Sequence, residues 1–219
     1  MMQPLPLFPL NTVLFPGMPL RLHIFEDRYK QMIRECMQTE KPFGVVLIRR
    51  GDEAFGPPAE PYTIGCTARI VRSQALPEGR LNLIALGLER FRILSLDSGS
   101  EPYLVGQVEP FPLANPGSPT AAAMVERLRP LVEQYLHLLE GHIETRLRPE
   151  SLPEEAAALA YSAAVILQSP LLEKQEMLSI PETVDLLDRM IEVYRRELPL
   201  LKTVLLDGGS RKIGAFSEN

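Results

Sequence analysis

No stretch of this sequence comes near the roughly 18 to 20 consecutive apolar residues that a bilayer-spanning helix needs. The opening Met1-Met2-Gln3-Pro4 lacks the basic start and apolar core of a secretory leader, which points to a cytoplasmic protein with no membrane partner. Only two cysteines are present, Cys36 and Cys66, and neither belongs to a C-x-x-C pair. Both are expected as part-buried thiols, since a disulfide is disfavoured in a reducing cell. An excess of Lys and Arg is missing as well. Residues 1–112 hold 12 basic and 12 acidic side chains, and residues 113–219 hold 11 and 16, which gives the net charge of −5. A protein that tracks phosphates usually carries a basic surplus, so nucleic acid is the weaker partner class.

What is present is an ordinary globular composition, 45% hydrophobic and 23% charged, enough for a packed core. The first 112 residues read as strands and turns. Leu5 to Phe15 is apolar but interrupted by proline, as an irregular or edge strand would be. Pro19 to Phe25 alternates, with Leu20, Leu22 and Ile24 on one face. Glu26 to Thr39 then switches to helical spacing, with Tyr29, Met32, Ile33, Cys36 and Met37 forming one stripe. Phe43 to Ile48 reads as a buried strand, and Gly51 to Pro61 as a loop. Ile64 to Gln74 and Arg80 to Leu96 flank Leu76-Pro77-Glu78-Gly79, a hairpin signal, and Gly87 suggests a bulge or a barrel corner. Tyr103 to Val108 adds a last strand. Six or seven strands with one helix suggest a small antiparallel barrel.

Pro110 to Pro119 holds four prolines and reads as a linker, closed by Ser118-Pro119 as N-cap and first helical residue. Beyond it the pattern is helical. Met124, Leu128, Leu131, Val132, Tyr135 and Leu139 keep helical spacing around Pro130, and an alanine-rich helix is expected in Pro153 to Leu167. A short helix begins at Ser169-Pro170 and stops near Ser179. Another opens at Pro181 and is expected to end or bend at Pro199. The fold class is therefore α+β: a β-barrel subdomain over 1–112, a helical subdomain over 113–206 and a flexible tail over 207–219.

These segments, in this order, resemble the Lon protease N-terminal domain. The likeness begins in Leu5-Pro6-Leu7-Phe8-Pro9-Leu10, Leu14-Phe15-Pro16-Gly17 and Leu22-His23-Ile24-Phe25-Glu26, then Arg28-Tyr29 and Phe43-Gly44-Val45-Val46-Leu47. It continues through Gly65-Cys66-Thr67-Ala68-Arg69-Ile70 and Gly87-Leu88-Glu89-Arg90-Phe91-Arg92-Ile93 to Glu173-Lys174-Gln175-Glu176-Met177-Leu178, so that it spans roughly 3–206. Arg21 and Asp27 stand where the family more often has proline; both suit a strand end and a helix start. The resemblance implies a PUA-like β-barrel with one or two helices, followed by an α-helical bundle. It also implies recognition of unfolded or apolar polypeptide segments, with a separate Lon protease as a further candidate partner and a homo-oligomer left open. No G-x-x-x-x-G-K-[ST] segment occurs, and there is no room for a Ser-Lys peptidase domain, so a non-catalytic adaptor or regulator in proteolysis is expected. An RNA-binding PUA-like protein is the alternative. No cofactor is implied.

Candidate chemistry is sparse. Cys36 with His23 is the only nucleophile–base pair to nominate, yet Cys36 lies in the apolar stripe of its helix. His137, Glu140 and Glu144 lie along one helix face, but His142 is five residues from His137 and breaks metal-binding spacing. Gly208-Gly209-Ser210-Arg211-Lys212 follows a helix and reads as a C-cap and tail. Two sets remain as binding candidates. Phe15, Pro16 and Met18 surround Gly17 at a turn and, with Tyr29 and Phe111, would either plug the barrel end or form an apolar patch for polypeptide. Arg69, Arg72, Arg90 and Arg92 alternate with apolar residues and would line a groove for an anionic ligand, or else belong to a solvated sheet face.

Overall fold

The structure, a computed structural model, describes residues 3–52, 59–140 and 151–207. Among them the front of the chain forms strands β1 (Gln3–Leu10), β2 (Pro19–Ile24), β3 (Phe43–Arg50), β4 (Glu60–Pro61), β5 (Ile64–Ala75), β6 (Leu81–Asp97) and β7 (Leu104–Pro110). Helix α1 (Asp27–Thr39) separates β2 from β3. Helices α2 (Pro119–Leu139), α3 (Ala156–Ile166), α4 (Leu171–Ser179) and α5 (Thr183–Asp207) follow.

The described residues fall into two compact units. One runs to Leu113 and takes in Gln168–Pro181 as well; the other begins at Ala114, leaves at Leu167 and resumes at Glu182. Helix α4 thus belongs with the strands, not with the other helices.

In the first unit the strands close on themselves in the order β1-β7-β6-β5-β3, with β3 returning to β1. Every pairing around the ring is antiparallel except the closing one, where Leu7 lies opposite Gly44 and Leu10 opposite Leu47 in parallel. The sheet is therefore mixed, where strand alternation alone suggested antiparallel pairing throughout. A parallel pair needs a crossover of roughly a dozen residues or more, and β2 with α1 supplies it. Consecutive residues of the same strands feed two apolar clusters. Leu5, Leu7 and Val46 join Phe91, Ile93 and Val108, while Phe8, Leu10, Phe43 and Val45 pack with the buried face of α1.

That face of α1 is Tyr29, Met32, Ile33 and Cys36; Met37, read from the sequence as part of the stripe, is instead 41% exposed. The β5–β6 hairpin turns through Pro77–Gly79, where Glu78 and Gly79 both adopt positive φ (61° and 69°). The Gly87 corner has a specific cause. Gly17, at φ 80°, donates its N–H to the Gly87 carbonyl at 2.9 Å, and Gly87 donates to Met18 at 2.9 Å. A Cβ on Gly87 would sit 2.2 Å from the Phe15 carbonyl oxygen. Only glycine lets the Phe15–Met18 turn lie against β6 this closely. The β5–β6 register shifts at the same place, between Cys66 and Ala68.

In the second unit the Ser118 hydroxyl accepts the Ala121 N–H at 3.1 Å and Pro119 occupies the first turn, a capped start to α2. The alanines of α3 let it approach α5, and the buried Tyr194 hydroxyl donates to the Ala163 carbonyl at 2.8 Å. Tyr135 meets the Tyr194 ring edge-on at 5.3 Å. Pro199 does not end α5, which continues to Asp207. Residues 208–212, read above as a C-cap and tail, lie outside the described residues.

Candidate functional site

The apolar set expected around Gly17 does not form one exposed patch. Phe15 is fully buried, and Tyr29 is buried and stacked on Phe8 with ring centroids 4.1 Å apart. Pinning Gly17 to Gly87 turns Phe15 inward, so both aromatics are core. Pro16 and Met18 are half-buried, and Met18 packs against the α1 cluster. Phe111 is half-buried beside two guanidinium groups, with Arg90 at 4.8 Å and Arg92 at 4.3 Å from its ring centre.

The four arginines also separate. Arg90 is 2% exposed, and its Nη1 donates to the carbonyl oxygens of Leu178 (2.7 Å) and Ile180 (2.6 Å). Its role is to hold the last turn of α4 to β6, with Gln175 Nε2 donating to the Ile64 carbonyl at 3.0 Å as a second tie. Arg92 remains part-exposed and pairs with Glu109 at 3.3 Å. Arg69 and Arg72 lie on a different part of the ring and are exposed. Three residues apart, they would face opposite sides of a regular strand. The register shift between Ile70 and Arg72 absorbs one residue, placing Arg69 opposite Leu86 and Arg72 opposite Ile84, so the two share a face.

This part of β5 borders a groove of about 480 Å³. One wall is the C-terminal turn of α1 with the residues just after it, namely Cys36, Met37, Glu40 and Lys41; the other is Arg69 to Ser73. The chain makes the groove by starting β3 late, at Phe43. Glu40 takes the left-handed conformation (φ 53°) and Pro42 lacks an N–H, so β3 pairs with β5 only from Phe43 opposite Ala68 to Val45 opposite Cys66. Met37 and Val71 expose 41% and 54% of their surface there. Lys41, Arg69 and Arg72 make no ion pair among the described residues, while Glu40 is the one carboxylate lining the groove. Sequence reading singled out the two arginines but missed Met37, Lys41 and Val71. The signal available for Val71 was its place between Ile70 and Arg72, where an apolar residue follows another apolar residue in an alternating strand.

Nucleophile chemistry finds no support in the geometry. Burial pushes the Cys36 thiol up to about 11, helped by the adjacent Glu35 carboxylate, and burial pushes Cys66 up to about 12. His23 lies on the exposed side of β2 and meets Asn82 Oδ1 at 2.7 Å. His137 is exposed, its Nδ1 2.7 Å from the Glu133 carbonyl; His142 and Glu144 lie outside the described residues. Among the described residues no group of three His, Cys, Asp or Glu side chains is placed to hold a metal ion, and no helix is long and apolar enough to cross a membrane.

A ring of strands closed by a parallel pair, carrying one crossover helix and followed by a helical unit, defines a PUA-like two-unit fold. The family model for the substrate-binding domain of ATP-dependent protease La (LON) matches residues 4–196, and the chain belongs to that family. Lon protease of Anaeromyxobacter dehalogenans is 31% identical over 203 residues, covering 90% of this chain and 24% of that protein. Lon protease 2 of Myxococcus xanthus is 31% identical over 205 residues, with 91% and 24% covered. The chain thus spans about a quarter of the length of these relatives. Among solved structures, a Lon N-terminal domain protein from Xanthomonas campestris superposes with a TM-score of 0.67 at 26% identity, covering 87% of this chain and 98% of that one. The N-terminal domain of Lon protease from the Mycobacterium avium complex shares the fold at 17% identity, with a TM-score of 0.68.

Proposed function

We propose that this protein recognises polypeptides through the groove between α1 and β5 and has no catalytic activity of its own, acting as an adaptor or regulator in proteolysis. The groove carries the reading. Met37 and Val71 are exposed beside it, apolar surface sits between cations, and no strand pairs with that side of β5 beyond Ala68 among the described residues. Membership in a substrate-binding family supports the same reading, as do the Cys36 and Cys66 thiols, which burial keeps protonated at neutral pH. A Lon protease encoded elsewhere is the partner to which bound polypeptide would be delivered or denied. The RNA-binding alternative draws only on Arg69, Arg72 and Arg92, because Arg90 is occupied by α4.

Fluorescence anisotropy with labelled denatured proteins tests the reading. Saturable binding, with a change in Lon degradation rate when the protein is added, is the expected result. A panel of denatured proteins and apolar peptides that gives neither binding nor a rate change would remove it.

A further inference from the structure

We infer that the groove takes its ligand by strand addition: an extended polypeptide with acidic residues at alternate positions pairs with the open edge of β5 from Arg69 to Ala75. This rests on the polypeptide-recognition reading and specifies how recognition works. The first observation is the edge itself. β6 pairs with β5 along nearly all of its length, from Ile64 opposite Arg92 to Ala75 opposite Leu81, but β3 covers the other side only from Cys66 to Ala68. Beyond Ala68 that side of β5 carries no strand among the described residues. A strand edge offers backbone N–H and C=O groups to whatever extended chain lies beside it. Backbone pairing is indifferent to side-chain identity, which is the property a receptor for many unrelated unfolded chains requires.

The second observation is charge. Lys41, Arg69 and Arg72 line the groove without ion-pair partners among the described residues, against the single carboxylate of Glu40. The bulge that puts Arg69 and Arg72 on one face spaces them two residues apart as seen from a neighbouring strand. An added strand with acidic residues at i and i+2 would match them, while its apolar residues meet Met37 and Val71. β2 also has one side without a strand, since it pairs only with β6. Among the described residues β2 carries a single exposed cation, Arg21, against the three that line the groove beside β5, which is why β5 is assigned the role.

The test uses short synthetic peptides with the full chain. One alternates acidic and apolar residues, a second replaces each acid by lysine, and two more carry backbone N-methyl groups on odd or even residues of the acidic peptide. Strand pairing uses the N–H groups of every second residue. One methylation frame is therefore expected to weaken binding by about tenfold or more and the other to be tolerated, as losing several hydrogen bonds implies. The acidic peptide should bind more tightly than its lysine copy. The Arg69→Glu, Arg72→Glu double variant, altering only exposed side chains, should reverse that preference. Hydrogen exchange at the amides of Arg69 to Ala75 should slow when peptide binds. If the acidic peptide binds but both methylated frames behave alike and these amides stay unprotected, strand addition is wrong and polypeptide recognition stands. If neither peptides nor denatured proteins bind, both readings fall. An RNA oligonucleotide that occupies the groove while the peptides do not also overturns the proposal.

Discussion

The guanidinium of Arg90 reaches across 88 residues of sequence to donate to the Leu178 carbonyl, and from the same nitrogen to Ile180. Two carbonyls at the C-terminal end of α4 are thereby satisfied by one buried cation stacked near Phe111. A cation at a helix C-terminus is also favoured by the helix dipole.

Arg90→Met should therefore destabilise the first unit by about 2–4 kcal/mol, because it leaves the buried Leu178 carbonyl and the part-buried Ile180 carbonyl without their charged donor. Urea unfolding measures the loss, and hydrogen exchange should show it concentrated in Leu171–Ser179. Arg90→Lys should recover only part of it, since an ammonium cannot reproduce the planar stacking. Equal exchange in α4 for wild type and Arg90→Met would contradict this account.

That contact shows where sequence reading stops. The helical stripe of Tyr29, Met32, Ile33 and Cys36 was legible because local periodicity determines it. So was the β5–β6 hairpin, whose turn residues announce it. The parallel pairing of β1 with β3, and the return of α4 to the strand unit, depend on contacts between distant segments that no period encodes. The same limit applies to the arginines. Alternation marked Arg90 and Arg92 as alike, yet α4 buries the first and leaves the second to pair with Glu109. The groove was half legible: Arg69 and Arg72 stood out, but it took the late start of β3, at Phe43, to expose the edge beside them.

Two glycine substitutions should separate close packing from mere turn composition. In Gly87→Ala the new Cβ would lie 2.2 Å from the Phe15 backbone oxygen, a contact that forces the Phe15–Met18 turn off β6. A loss of about 3 kcal/mol or more is expected. Gly117→Ala meets nothing within 4 Å and should change stability by no more than about 0.5 kcal/mol. Thermal or urea unfolding of the pair provides the comparison.

The cysteines should respond to pH in a defined direction. Both thiols have folded values above the ordinary 9.0, at about 11 for Cys36 and about 12 for Cys66, with burial the larger cause. The folded chain then holds protons that the unfolded chain releases. Their stabilising effect is complete below pH 9 and is lost as pH rises through 11 to 12. Alkylation by iodoacetamide at neutral pH should be slow in the native protein and fast in urea. Rapid native labelling of Cys36 at pH 7 would show an accessible thiolate and reopen nucleophile chemistry.

Phe15→Ala distinguishes plug from patch. A fully buried phenylalanine in the turn held by Gly87 should cost about 3–5 kcal/mol when truncated. Polypeptide affinity of whatever fraction stays folded should be unchanged. A variant that keeps its stability but loses binding would instead return Phe15 to the recognition surface.

Met37→Ser combined with Val71→Ser makes the opposite prediction. Both residues expose a large part of their surface, at 41% and 54%, so they contribute little to the core, and unfolding should shift by no more than about 1 kcal/mol for the pair. If they form the apolar part of the groove, affinity for denatured protein should fall by about tenfold, the range expected when contact residues at a binding surface are truncated. Leu200 and Val204 provide the control: each is 55% exposed, and both lie on α5 in the other unit. Serine at those two positions removes as much exposed apolar surface without touching the groove. Anisotropy titrations of the two double variants against one denatured protein therefore separate a specific site from general surface stickiness. A fall confined to the Met37–Val71 pair assigns recognition to the groove, whereas equal falls would show that apolar exposure anywhere on the chain is enough.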